Sequence, residues 1–87
     1  TFRCLALARH AGETGGTLPC VMNAANEEAV AAFLAGSCGY LDIDACVEDA
    51  MERHEADGVQ RVESLDQLAE VDARARARAR AFLAARR

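Results

Sequence analysis

Two asparagines and two glutamates form the stretch of this chain that most invites a catalytic interpretation. Asn23 and Asn26 lie three residues apart among apolar neighbours, and Glu27 and Glu28 follow directly. Asn is seldom the sole catalyst of a reaction, whereas its side-chain oxygen often accepts a free backbone N–H at the start of a helix. We therefore predict that one Asn caps a helix and that the other satisfies loop backbone.

A glycine-rich segment precedes this stretch and raises the question of a phosphate-binding loop. It contains Gly12, Gly15, Gly16 and Thr17, but the chain has no Lys, so the GxxxxGK[ST] pattern is absent. The GxGxxG pattern and a preceding strand are absent as well. We predict a plain connection between two helices, in which Pro19 delays the start of the second helix.

His54 is the histidine with potential metal ligands near it in sequence, namely Glu52, Glu55 and Cys46. Two ligands on one helix meet when they are three or four residues apart, and here that spacing offers only weak carboxylate options. We predict that His54 is a solvated residue in the last turn of a helix, where positive charge suits the helix dipole.

Four cysteines are spread along the first 46 residues of the chain, without the spacing of a zinc ribbon or a redox CxxC pair. Each lies among small or apolar neighbours, so we predict reduced, buried thiols in a cytosolic protein. A disulfide pair or a metal site is the alternative. The four are Cys4, Cys20, Cys38 and Cys46.

Arginine is concentrated at the end of the chain, where it alternates with alanine. All 14 acidic residues lie at or before Asp72 with only four arginines, so that region has a net charge of −10, and the last 15 residues carry +6. A basic helix is typical of nucleic-acid binding, but the chain is acidic overall and no aromatic residue lies among these arginines. We predict no nucleic-acid binding. A free-standing module that binds an acidic partner or nucleic acid through this helix is the alternative.

Length and composition favour one helical domain spanning residues 1–87. Apolar residues make up 52% of the 87, many of them Ala, and only 5% are aromatic. Ala permits close helix packing, whereas a chain this short has no room for a deep active site beside a nucleotide-binding domain. No apolar run approaches the length of roughly 18 residues that a membrane span needs, so we expect a soluble, cytoplasmic protein.

Apolar spacing predicts four helices, with a central second helix that ends before Gly36. Asp42 should cap the third helix, and the Ser64–Gln67 capping box should begin the fourth, with an irregular segment and a short extended piece before it. In the fourth helix we expect ion pairs between Glu70 and Arg74 and between Asp72 and Arg76. The predicted helices are Phe2–Ala11, Asn23–Leu34, 42–56 and 65–85, in an all-α bundle with a superhelical twist.

The motifs on these helices resemble the C-terminal domain of the 1-deoxy-D-xylulose 5-phosphate reductoisomerase family, over nearly all of the chain. Arg3 stands where that family usually has Pro, and Arg74 where it often has Trp or Asn. The segments that carry the resemblance are Cys4–Ala8, Gly16–Glu27, Ala29–Leu34, Gly39–Ile43, Ser64–Leu68 and Asp72–Arg76.

The resemblance implies a parent enzyme that isomerises and reduces a phosphosugar with NADPH and a divalent metal, Mg or Mn, in non-mevalonate isoprenoid biosynthesis. In the family, the dinucleotide-binding domain and the catalytic domain with the metal carboxylates come earlier in the chain. We therefore assign no catalytic, cofactor-binding or metal residue to residues 1–87. The domain is expected to support the catalytic domain, to be inactive alone and to self-associate, as a dimer with exchanged helices, when separated from its parent.

Overall fold

Four helices form this domain, which is described here from a computed structural model of residues 2–86, with side chains for residues 3–86. No strand occurs among residues 2–86, so the all-α prediction is confirmed and the extended piece expected before the fourth helix does not form a strand. The helices are α1 (Phe2–Thr14), α2 (Leu18–Leu34), α3 (Tyr40–Asp57) and α4 (Leu65–Ala85).

The start of α2 differs from the prediction, because Pro19 lies in its first turn instead of delaying it. The fixed φ of Pro suits the first helical turn, where its missing N–H costs nothing. Asn23 and Asn26 therefore lie inside the helix, and the prediction that they cap it and satisfy the loop is wrong. The Asn23 side-chain amide donates to the Glu27 carboxylate one turn later, at 3.1 Å.

The two later helices begin at caps of different kinds. Asp42 is the third residue of α3 and not its cap, and its carboxylate accepts the Gly39 backbone N–H at 2.8 Å. At α4 the predicted cap is confirmed, because the Ser64 hydroxyl accepts the Gln67 N–H at 3.0 Å. The Gln67 side chain accepts the Glu63 N–H at 2.7 Å. The fourth helix thus starts and ends where the sequence predicts.

The central position of α2 is confirmed, since it contacts each of the other three helices. The order of contacts along the helices shows that α1 runs parallel to α3 and α2 parallel to α4, so successive helices are antiparallel. Alanine lines much of the helix contacts, and its small side chain lets backbones approach closely. The core consists of Ala11, Leu18, Val21, Ala24, Ala25, Ala29, Cys46, Val47, Ala50, Met51, Ala75, Ala79 and Leu83.

Candidate functional site

A buried polar cluster joins the α1–α2 turn, the end of α3 and the α3–α4 loop. It consists of Thr17, His54 and the backbone of Gln60, and we call it the Thr17 cluster. The Thr17 hydroxyl lies 2.6 Å from His54 Nε2 and accepts the Gln60 N–H at 3.0 Å. The Thr17 N–H donates to the Gln60 carbonyl at 2.9 Å. Three chain segments distant in sequence are thus tied together by one side chain.

His54 contradicts the prediction of a solvated histidine, because only 6% of its surface is exposed. The α1–α2 turn and α4 cover the end of α3, so burial lowers the pKa of the imidazole, and the nearby Arg78 guanidinium lowers it further. The buried proton of the Thr17 hydroxyl needs an acceptor, and His54 Nε2 is the one that the described contacts provide, so we assign that proton to a neutral His54 Nε2, with the imidazole proton on Nδ1.

A hydroxyl beside an imidazole is also the arrangement of an activated nucleophile. Thr17, however, is completely buried, so no substrate carbonyl or phosphorus can approach its oxygen. A cavity of about 90 Å³ lies next to the cluster, between the end of α3 and the start of α4, and has room for several water molecules. The geometry therefore suits a structural tie and not catalysis.

The glycine-rich turn next to the cluster packs against the backbone carbonyl of Gln60, at the place where a phosphate-binding loop would hold phosphate. Gly16 has a φ of +56°, and a Cβ placed on it would lie 2.3 Å from the Gln60 carbonyl oxygen. Only Gly permits both this backbone conformation and this close approach. The predicted plain connection between helices is confirmed, with the added role of seating the α3–α4 loop.

The arginines of α4 form ion pairs within the domain. Arg76 donates to Asp72 at 2.8 Å, to Glu27 at 2.8 Å and to Glu28 at 3.0 Å, which joins α4 to α2. Arg80 donates to Glu28 at 2.9 Å. These contacts, chiefly the one with Arg80, hold the pKa of the Glu28 carboxyl below its usual range. The predicted pair between Asp72 and Arg76 is thus confirmed.

Two further arginines connect α4 to the two ends of α3. Arg78 pairs with Asp57, and Arg86 pairs with Asp42 at 2.8 Å. Four of the six arginines after Asp72 are therefore neutralised inside the domain, which leaves less positive charge for an external partner. The predicted pair between Glu70 and Arg74 is not found among the side chains of residues 3–86; both residues line the cavity beside His54.

The prediction of buried thiols is right for only one cysteine. Cys46 is fully buried, and burial raises the pKa of its thiol to about 11. Cys20 and Cys38 are half-buried and donate to backbone carbonyls at 3.8 Å. Cys4 is exposed because it lies on the outer helix, α1.

Asn23 and Asn26 share a shallow pocket of about 110 Å³ between α1, α2 and α3, lined also by Cys4 and Asp44. Within residues 3–86, no three His, Cys, Asp or Glu side chains come together to hold a metal ion. None of the described helices is both long enough and apolar enough to span a membrane. The Thr17 cluster could not be predicted from the sequence, because 37 residues separate Thr17 from His54 and no local pattern joins them.

Comparison with known proteins places this fold in a family. A family model described as the DXP reductoisomerase C-terminal domain matches residues 1–78. The 1-deoxy-D-xylulose 5-phosphate reductoisomerase of Geobacillus sp. (strain WCH70) is 50% identical over 82 residues, which are 94% of this chain and 21% of the relative. That of Geobacillus kaustophilus is 51% identical over the same length and shares. That of Pseudomonas paraeruginosa is 52% identical over 75 residues, 86% of this chain and 18% of the relative.

The chain thus spans about a fifth of the length of the curated relatives it matches. The resemblance seen in the sequence motifs agrees with these matches. The chain belongs to the DXP reductoisomerase family, in which it corresponds to the C-terminal domain.

Proposed function

We propose that this chain is the helical C-terminal domain of an NADPH-dependent 1-deoxy-D-xylulose 5-phosphate reductoisomerase of the non-mevalonate pathway, which it supports structurally. The observation that carries the proposal is the identity of about 50% to reductoisomerases over nearly the whole chain. In this proposal the partners are the catalytic and dinucleotide-binding domains of the same polypeptide, in the cytoplasm. NADPH and Mg²⁺ or Mn²⁺ would be held by those domains.

The internal contacts of the domain support a structural role. Its most reactive-looking pair, Thr17 and His54, is closed to substrate, and its arginines largely pair with its own carboxylates. Such contacts fix four helices relative to one another and give the parent enzyme a rigid body to pack against. We therefore propose that residues 1–87 are inactive alone and that the catalytic groups lie elsewhere in the polypeptide.

An assay of NADPH oxidation with 1-deoxy-D-xylulose 5-phosphate and Mn²⁺ tests the proposal. The full polypeptide should turn over substrate, and the isolated domain should not. Removing residues 1–87 from the full polypeptide should lower turnover or stability, and adding an unrelated helical bundle in their place should not restore it. Turnover by the isolated domain near the level of the full enzyme would contradict the structural role.

The alternative, a binding module that uses α4, makes a different prediction. Its arginines would bind RNA, DNA or an acidic peptide with an affinity that falls steeply as salt rises. The ion pairs of Arg76, Arg78, Arg80 and Arg86 within the domain count against it. Salt-dependent binding at micromolar concentrations would favour the module over the enzyme domain.

A further inference from the structure

We infer that an exposed apolar surface at the α2–α3 turn is where the domain docks on the preceding domains of its own polypeptide. We call this surface the tip patch, and it consists of Phe33, Leu34, Tyr40 and Leu41. The inference rests on the proposed function and adds to it the face through which the domain acts.

The four side chains of the tip patch lie together at one end of the bundle. Phe33 and Leu34 end α2, and Tyr40 and Leu41 begin α3 after a five-residue turn. The rings of Phe33 and Tyr40 meet edge to face, with centroids 5.9 Å apart. Leu34 and Leu41 are each 78% exposed, so they add almost nothing to the core of the domain. Four of the seven exposed large apolar residues described thus fall within nine positions.

The charges around the tip patch point to an apolar occupant. Residues 29–41 carry no charged side chain, although 28% of the chain is charged. The flanking carboxylates, Glu28 and Asp42, are paired with Arg80 of α4 and with Arg86, which directly follows α4. Among the described residues, the two carboxylates that flank the patch in sequence are thus already neutralised within the domain, which favours an apolar contact over a charged one. Clustered apolar surface of this kind marks an interface with protein.

The direction of α1 indicates which protein surface covers the tip patch. Arg3 pairs with Glu48 and His10 with Glu55, so α1 runs parallel to α3. Followed backwards, α1 leads toward the end of the bundle where α3 begins, which is the end that carries the tip patch. In a C-terminal domain the rest of the polypeptide precedes α1, and about four fifths of each relative lies outside the match. We therefore expect those preceding domains on the side of the patch.

Hydroxyl-radical footprinting of the full reductoisomerase polypeptide, read by mass spectrometry, tests the inference. Leu65, which is 84% exposed at the opposite end of the bundle, is the internal control for Leu34 and Leu41. If the tip patch is docked, the labelling rates of Leu34 and Leu41 should be lower than that of Leu65 by a factor of about five or more. Labelling at the same rate as Leu65 would overturn the inference.

A variant of the full polypeptide gives a second, independent readout. Leu41→Glu places a carboxylate in the first turn of α3, where it suits the helix dipole, but it should weaken apolar docking. Labelling of Leu34 should rise toward that of Leu65 in this variant and should stay low in the matched variant Leu65→Glu. Unchanged labelling of Leu34 in Leu41→Glu would contradict docking at the patch.

The outcomes also separate this inference from the proposed function. A full polypeptide that turns over substrate but labels Leu34 and Leu41 freely would overturn the docking surface alone. A full polypeptide without reductoisomerase activity would overturn the proposed function itself. Protection that appears only at concentrations where light scattering shows a dimer would assign the patch to a second copy of the chain, and would also overturn the inference.

Discussion

Replacing Thr17 by Val tests whether the Thr17 cluster holds the domain together. Val has nearly the volume of Thr, so the change removes the hydroxyl without opening a cavity. The hydroxyl is fully buried, and its loss removes the contact of 2.6 Å with His54 and the contact of 3.0 Å with the Gln60 N–H. Two polar groups are left without their partner inside the folded domain.

The size of the effect follows from the burial of those two groups. An orphaned buried polar atom costs about 1–3 kcal/mol, because in the unfolded state water satisfies it. His54 Nε2 is deeply buried, whereas the Gln60 N–H lies in a part-buried loop where water replaces its partner more easily. We therefore expect the free energy of unfolding to fall by about 2–3 kcal/mol, from a total of about 5–15 kcal/mol for a typical domain.

Urea unfolding of the isolated domain, followed by far-UV circular dichroism, measures this loss. With a slope of about 1–3 kcal/mol per molar urea, the midpoint should fall by roughly 0.7–3 M. Thr17→Ser is the matched control, since it keeps the hydroxyl and should cost only about 1 kcal/mol for the lost methyl group. If Thr17→Val is as stable as Thr17→Ser, the hydroxyl does not hold the three segments together.

Three further changes test other contacts. Gly16→Ala should lower the free energy of unfolding by about 1–3 kcal/mol more than Gly15→Ala, because both have positive φ but only at Gly16 would the added Cβ clash with a carbonyl oxygen, that of Gln60; equal urea midpoints would contradict this. The pKa of His54 is below its ordinary value of 6.5, so as pH falls the unfolded state takes up the proton first and stability is lost. The slope of stability against pH between about pH 7.5 and pH 5.5 should be shallower in His54→Gln, and equal slopes would refute the argument. Arg76→Met should lower the urea midpoint at low salt, with a difference that shrinks in about 1 M NaCl; a difference independent of salt would show that the ion pairs are not responsible.

The local sequence was sufficient for the number and order of the helices and for the bounds of α4, whereas α1 runs on to Thr14 and α2 begins already at Leu18. The start of α4 could be predicted because the hydrogen bonds of its cap are local. The Ser64 hydroxyl accepts the Gln67 N–H, and the Gln67 side chain accepts the Glu63 N–H. The alternation of Ala and Arg was correctly assigned to a helix, since both residues favour helices over strands. Errors arose where one residue serves two purposes: Pro19 ends some helices and begins others, and only the geometry of the preceding turn decides which.

Contacts between distant segments were out of reach of the sequence. His54 looks like a solvated residue at a helix end until Thr17 and the α3–α4 loop are placed over it, 37 residues away in the chain. The same holds for Arg76, whose pair with Asp72 follows from spacing but whose pairs with Glu27 and Glu28 need the packing of α2 on α4.

The sulfur of Cys46 offers a way to measure how often the folded domain opens. With a pKa raised to about 11 by burial and a contact of 3.7 Å to the Ala79 carbonyl, it stays protonated and shielded at neutral pH. An alkylating reagent should consume the exposed Cys4 at once and reach Cys46 only when α3 and α4 separate. The alkylation rate of Cys46 therefore reports the rate of global opening, and it can be followed in crude extracts without any added dye.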